Sequence, residues 1–187
     1  LFYIGSEETS PGGLFFKPDG TKMFIVGSNG DSVDEYTLST AWDISTASPV
    51  AVFSVNPQES APSSVSFTPD GTKMFMVGTG NDSIFEYSLS TAWSVSTASY
   101  VTGFKVALEE TTPHGIFLKP DGTKMYMTGA GYSNIAEYSV ASAASITLPT
   151  SVQNLPQEAV LPNTRISYTF YTFDGGTTVH LINEEVL

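Results

Sequence analysis

The sequence predicts an all-β chain built of β-propeller blades, and three observations carry the prediction. The stretch Phe16-Lys17-Pro18-Asp19-Gly20-Thr21-Lys22-Met23-Phe24 returns at Phe67–Phe75 and again at Leu118–Tyr126, with the three prolines 51 residues apart. Each 51-residue unit offers four short strand candidates separated by turn residues, the pattern of four antiparallel strands in one blade. The second strand of the unit, Met23-Phe24-Ile25-Val26, is apolar without alternation. Such a strand needs cover on both faces, which blade-on-blade stacking provides. A helical reading fails because Gly, Pro, Ser and Thr recur throughout and no apolar i, i+3, i+4 pattern is sustained.

The elements follow in order. The first strand, Gly13–Lys17, enters the Pro18-Asp19-Gly20 turn. There Pro presets φ, Asp can bond the local backbone and Gly accepts positive φ. The second strand is Lys22–Gly27. The third, Val33–Leu38, is reached through the hairpin loop Ser28-Asn29-Gly30-Asp31-Ser32. The fourth, Pro49–Val55, follows a ten-residue connection, 39–48, that carries Trp42. The next unit repeats this without insertion or deletion, with strands at Lys73–Gly78, Ile84–Leu89 and Tyr100–Val106. In the third unit Ile135–Val140 matches the third strand, but Ala141-Ser142-Ala143-Ala144 then replaces the Ser-Thr-Ala-Trp seen at Trp42 and Trp93.

Residues 1–10 align with the ends of the later units and read as the outer strand of a preceding or shared blade. The expected organisation is therefore that strand at 1–10, blades at 11–61 and 62–112, a partial blade at 113–148, a proline-bearing linker at 149–164 and a C-terminal β-hairpin at 165–187. Closed propellers have about four to eight blades, so this set is an incomplete ring. An open arc exposes the apolar faces of its end blades. Completion by further sequence or by another subunit is expected, with a homo-oligomer as the simplest form. A head-to-head pair of arcs is one route, giving a ring of about six or seven blades. Pairing of Leu1–Ile4 as the outer strand of a blade supplied by the C-terminal part is another.

Charge narrows the partners. Lys and Arg number 7 against 19 Asp and Glu, a net charge of −12. Phosphate backbones need basic patches, so a nucleic acid partner is not expected, and anionic membrane surfaces are disfavoured for the same reason. No stretch approaches the roughly 20 apolar residues of a membrane helix. With no cysteine, disulfides and thiolate metal sites are excluded.

Several residues invite a functional reading beside a structural one. Lys22, Lys73 and Lys124 share one repeat position, and Glu35, Glu86 and Glu137 share another. They are expected to lie roughly opposite each other as cross-strand ion pairs, or to present a ring of carboxylates to a channel. Asp31 and Asp82 sit with Asn29, Asn81 and Asn134 in oxygen-rich loops that are candidates for Ca²⁺, although Asn, Asp and Gly are also ordinary turn residues. No other cofactor is expected. Trp42 and Trp93 fill space between blades together with Tyr36, Tyr87 and Tyr138, or else stack on a sugar. His114 replaces Gly12 and Ser63 at the start of a first strand, the end that faces a propeller channel. Asp19, Asp70 and Asp121 are expected to bond turn backbone, and His180 to be a strand residue. There is no phosphate-cradling glycine loop, nucleophile elbow or metal-binding His pair.

The Pro18–Met23 hairpin resembles blades of lactonase-like propellers. The longer unit, Pro18–Met23, Val26-Gly27, Glu35–Trp42 and Ser45–Ser48, resembles the repetitive propeller proteins encoded by marine bacteriophages, over residues 1–140. The ending Tyr171–Val179 is similar to the C-terminal segment of such chains. The resemblance implies a structural and recognition module of a virion, on a tail or fibre. Its implied partners are neighbouring virion subunits, copies of itself or host-surface carbohydrate. It transfers no catalytic residue. A lactonase- or lyase-type enzyme and a secreted bacterial adhesion or surface-layer module are the alternatives, the latter placing the chain outside the cell or on its surface.

Overall fold

A computed structural model describes residues 1–5, 8–132 and 134–140, together with the strand backbones at 168–172 and 179–183. Within the first 140 residues the chain forms three successive antiparallel meanders. The first contains β1 (Pro11–Phe16), β2 (Lys22–Gly27), β3 (Ser32–Leu38) and β4 (Ala47–Ser54) in spatial order β1-β2-β3-β4. The second repeats it with β5 (Pro62–Phe67), β6 (Lys73–Gly78), β7 (Ser83–Leu89) and β8 (Ala98–Lys105). The third contributes β9 (Pro113–Leu118), β10 (Lys124–Gly129) and β11 (Ile135–Ser139). The remainder of the expected partial blade, 141–148, and the 149–164 linker fall outside the described residues. A separate antiparallel hairpin pairs β12 (Tyr168–Thr172) with β13 (Val179–Asn183), with His180 opposite Tyr171.

The strand reading is confirmed, with boundaries shifted by one or two residues. Outer strands begin earlier than expected, at Ala47 and Ala98, because short 3₁₀ turns at Ile44–Thr46 and Val95–Thr97 deliver the chain directly into them. The outer strand expected at 1–10 has no partner strand among the described residues. Leu1–Ile4 forms no strand. Instead Phe2 and Ile4 pack on Met23, Ile25, Tyr36 and Leu38 of the first blade.

Each blade has a leading face, toward the lower-numbered neighbour, and a trailing face toward the next. The continuous apolar run of the second strand divides between them. Phe24 and Val26 join the core shared with the second blade, whereas Met23 and Ile25 point to the opposite cluster. The first interblade core places Phe24, Val26 and Val33 against Val65, Phe67, Met74, Met76 and Trp93. The second places Phe75, Val77 and Ile84 against Ile116, Leu118, Met125 and Met127. These residues explain why the three meanders stack: the middle sheet buries apolar side chains on both faces, one against each neighbouring sheet.

The turn at the start of each second strand is built on one plan three times. Gly20, Gly71 and Gly122 adopt φ of 72°, 71° and 74°, a region that strongly favours glycine. The carboxylate of Asp19 accepts the Thr21 N–H at 3.0 Å, and Asp70 and Asp121 do the same with Thr72 and Thr123. Lys17 and then Thr21 hold the Asp19 carboxyl well below the ordinary range, and Lys119 and Thr123 do so for Asp121. Asp70 has a Thr68 hydroxyl in place of the lysine, and its pKa is lowered as well.

Candidate functional site: the blade-to-blade junction

Three devices meet at the junction of the first two blades, and the third unit has Ala144 at the tryptophan's repeat position. The first is the tryptophan loop. Trp93 has positive φ, 62°, and its N–H donates to the Gly71 carbonyl at 2.9 Å, which lays the indole over the Pro69-Asp70-Gly71 turn of its own blade. The ring then projects across the boundary. It stacks on Phe15 of the preceding blade at 6.2 Å with an 18° tilt, and lies 5.5 Å from Phe67. Only 8% of Trp93 is exposed. Both ring faces are thereby occupied, so of its two expected roles the Trp93 ring takes interblade packing. Trp42 has the same backbone, with φ 66°, but remains 58% exposed and packs on Phe16 of its own blade. The difference between the two tryptophans is the blade in front.

The lysine–glutamate pair is the second device. Lys22 Nζ lies 2.5 Å from Glu35 Oε1, Lys73 Nζ 2.8 Å from Glu86 Oε1, and Lys124 Nζ 2.6 Å from Glu137 Oε1. The strand register puts Lys22 opposite Thr37, so Glu35 is its diagonal neighbour rather than its direct partner. At the first junction the pair reaches the next blade. Lys22 Nζ donates to the Trp93 carbonyl at 2.7 Å, and Glu35 Oε2 accepts the Val95 N–H at 2.9 Å. The Glu35 side chain is fully buried there. Lys124 and Glu137 are about half exposed, at 42% and 49%. Their hydrogen bond holds the Glu137 carboxyl below, and the Lys124 ammonium above, their ordinary pKa values.

The third device is a buried carboxylate to which the sequence reading assigned no role. Glu8, Glu59 and Glu110 are each 1% exposed or less. Each sits at the end of one repeat and accepts hydrogen bonds from the second-to-third-strand turn of the next. Glu59 takes the N–H groups of Ala61 at 2.8 Å, Gly80 at 2.8 Å and Asn81 at 3.1 Å. Glu110 takes Thr112, Gly131 and Tyr132, and Glu8 takes Ser10, Asn29 and Gly30. Burial pushes the Glu110 carboxyl up, but the N–H donors of Thr112, Tyr132 and Gly131 outweigh it, and its pKa lies below the ordinary value. The available signal was recurrence: a Glu four residues after Ile4, Val55 and Val106.

An aromatic pair marks the same boundary. Phe2 meets Tyr36, Phe53 meets Tyr87 and Phe104 meets Tyr138, edge to face, at 5.6, 5.5 and 5.6 Å. Burial raises the pKa of Tyr87 and Tyr138. Phe2, Ile4 and Glu8 thus hold on the first blade the places that Phe53, Val55 and Glu59 hold on the second, by side-chain contact and without strand pairing.

The remaining candidates do not converge. Asp31 and Asp82 are turn residues with φ of 46° and 45°, whose carbonyls accept the Val55 and Val106 N–H groups. The Asp31 carboxylate accepts Asn56 Nδ2 at 2.6 Å. Among the described residues no group of three or more His, Asp or Glu could hold a metal ion. His114 lies exposed at the start of β9. Its repeat equivalent Ser63 bonds the Pro113 carbonyl at 3.2 Å, placing this position on the rim where inner strands of adjacent blades approach.

No family model matches the chain, and no curated relative matches it. Solved structures do. A protein of Bacteroides uniformis assigned as a 6-phosphogluconolactonase aligns with a TM-score of 0.56 at 16% identity, over 72% of this chain and 38% of its own. The hydrazine synthase of Kuenenia stuttgartiensis aligns at 0.53 and 21%, over 73% and 34%. The β-propeller domain of Cps50 (Swd1) from Myceliophteria thermophila aligns at 0.51 and 13%, over 68% and 39%. The chain folds as β-propeller blades and spans well under half the length of these neighbours.

Proposed function

We propose that the chain is a structural and recognition module of a bacteriophage virion, on a tail or fibre, whose task is to join neighbouring subunits. One observation carries the reading: the residues that build an internal junction recur, unburied, at both ends of the arc. Trp42 is 58% exposed where Trp93 is 8% exposed, and Leu14 is 60% exposed where Val65 is 3% exposed. At the other end Phe117 and Ile135 are 57% and 72% exposed. Exposed apolar surface of this kind suits assembly. The resemblance of residues 1–140 to repetitive phage-encoded propellers supplies the setting.

Immunogold labelling of purified particles with antibody raised against the chain tests the setting. Label confined to the tail or its fibres is the expected result. Label on the bacterial envelope instead would move the chain to the adhesion or surface-layer reading.

A further inference from the structure

Resting on that reading, we infer that the partner of the first blade's leading face is the third blade's trailing face of a second copy, so that two chains close head to tail into one ring. The internal junctions specify what this leading face accepts. A hollow of about 330 Å³ opens on it, lined by Phe2, Ile4, Leu14, Met23, Ile25 and Ile44. On the second blade the equivalents Val65, Met74, Met76 and Val95 are buried in the interblade core. The side chains that bury them there include Phe24, Val26 and Val33, with Phe15 packed alongside.

The third blade offers the counterpart. Phe117 stands at the repeat position of Phe15 and Ile135 at that of Val33, and both are exposed. The polar half matches too. At the first junction Lys22 donates to the Trp93 carbonyl and Glu35 accepts the Val95 N–H. The repeat equivalents are Lys124 and Glu137 on the trailing face, and Trp42 and Ile44 on the leading face. Lys124 and Glu137 are half exposed and Ile44 is 40% exposed. A head-to-head pair would instead set two like faces together and leave both Lys124–Glu137 pairs without the backbone groups that Lys22 and Glu35 find. Two such contacts related by a two-fold axis join three blades to three, within the range of about four to eight blades that closed propellers use.

The chain has no cysteine, so introduced thiols report cleanly. The double variant Ile44→Cys/Glu137→Cys, treated with a short bis-maleimide, is expected to give covalent dimer, and each single variant none. Light scattering of the unmodified 187-residue chain should give twice the chain mass. Leu14→Asp should halve that mass while leaving the circular dichroism spectrum unchanged, since Leu14 is already exposed. A monomeric unmodified chain, a mass that climbs with concentration, or self-cross-linking of either single variant would overturn the inference. A monomer that still labels phage tails would leave the module reading standing and remove only this partner.

Discussion

Glu59 and Gly80 meet across a blade boundary, the carboxylate Oε1 accepting the Gly80 N–H at 2.8 Å while Oε2 takes that of Asn81 at 3.1 Å. The buried carboxylate needs donors and the turn supplies them, and a charged acceptor forms the stronger bonds. Glu59→Ala orphans three donors and should cost about 3 kcal/mol in urea unfolding. Glu59→Gln should cost less, about 1–2 kcal/mol, because the amide oxygen still accepts while its NH₂ group opposes one backbone donor.

The lowered pKa of Glu110 makes this clamp acid-sensitive. The folded state keeps the carboxyl ionised while the unfolded chain protonates near the usual value of about 4.3. The stabilisation is therefore fully present above that value and is lost as pH falls through the lower folded pKa. Asp19 and Asp121 shift in the same direction. Unfolding monitored from pH 7 to pH 2 should show stability falling on the acid side, and Glu110→Gln should flatten that fall.

Lys22 and Lys73 occupy one repeat position but should not be equivalent. Lys22→Ala leaves a fully buried Glu35 carboxylate without its cation, at roughly 2–4 kcal/mol. Lys73 and Glu86 are 40% and 21% exposed, so Lys73→Ala should cost less than about 1 kcal/mol. Equal losses in chemical denaturation would mean the first junction does not desolvate its pair.

Gly71 and Gly122 share their φ but not their surroundings. A Cβ at Gly71 would run into the Trp93 indole, whereas at Gly122 the nearest atom among the described residues is Pro69 Cδ at 3.3 Å. Gly122→Ala should cost about 1–2 kcal/mol from backbone strain alone. Gly71→Ala should cost more and shift Trp93 fluorescence to the red as the ring leaves the interblade core.

Much of the architecture could be read from the chain because its causes are local. Pro18, Asp19 and Gly20 dictate a turn by their own backbone preferences, and Met23–Val26 announces a two-sided strand by lacking alternation. Repetition at 51 residues then multiplies one reading by three. The junction was harder to read. The strand register that makes Lys22 a diagonal neighbour of Glu35 depends on where the turn closes. The role of Glu59 depends on a turn 21 residues later, in a different blade.

The sequence by itself determined the blade, its repeat and its turn chemistry, since these follow from φ preferences and apolar patterning within a few residues. The tertiary structure alone decided which copies of a repeated residue are buried. Trp42 and Trp93 share their local backbone and the Gly beneath them, yet one is exposed and one enclosed. Burial is set by the neighbouring sheet, and no residue near Trp42 in sequence encodes whether another blade stands in front of it.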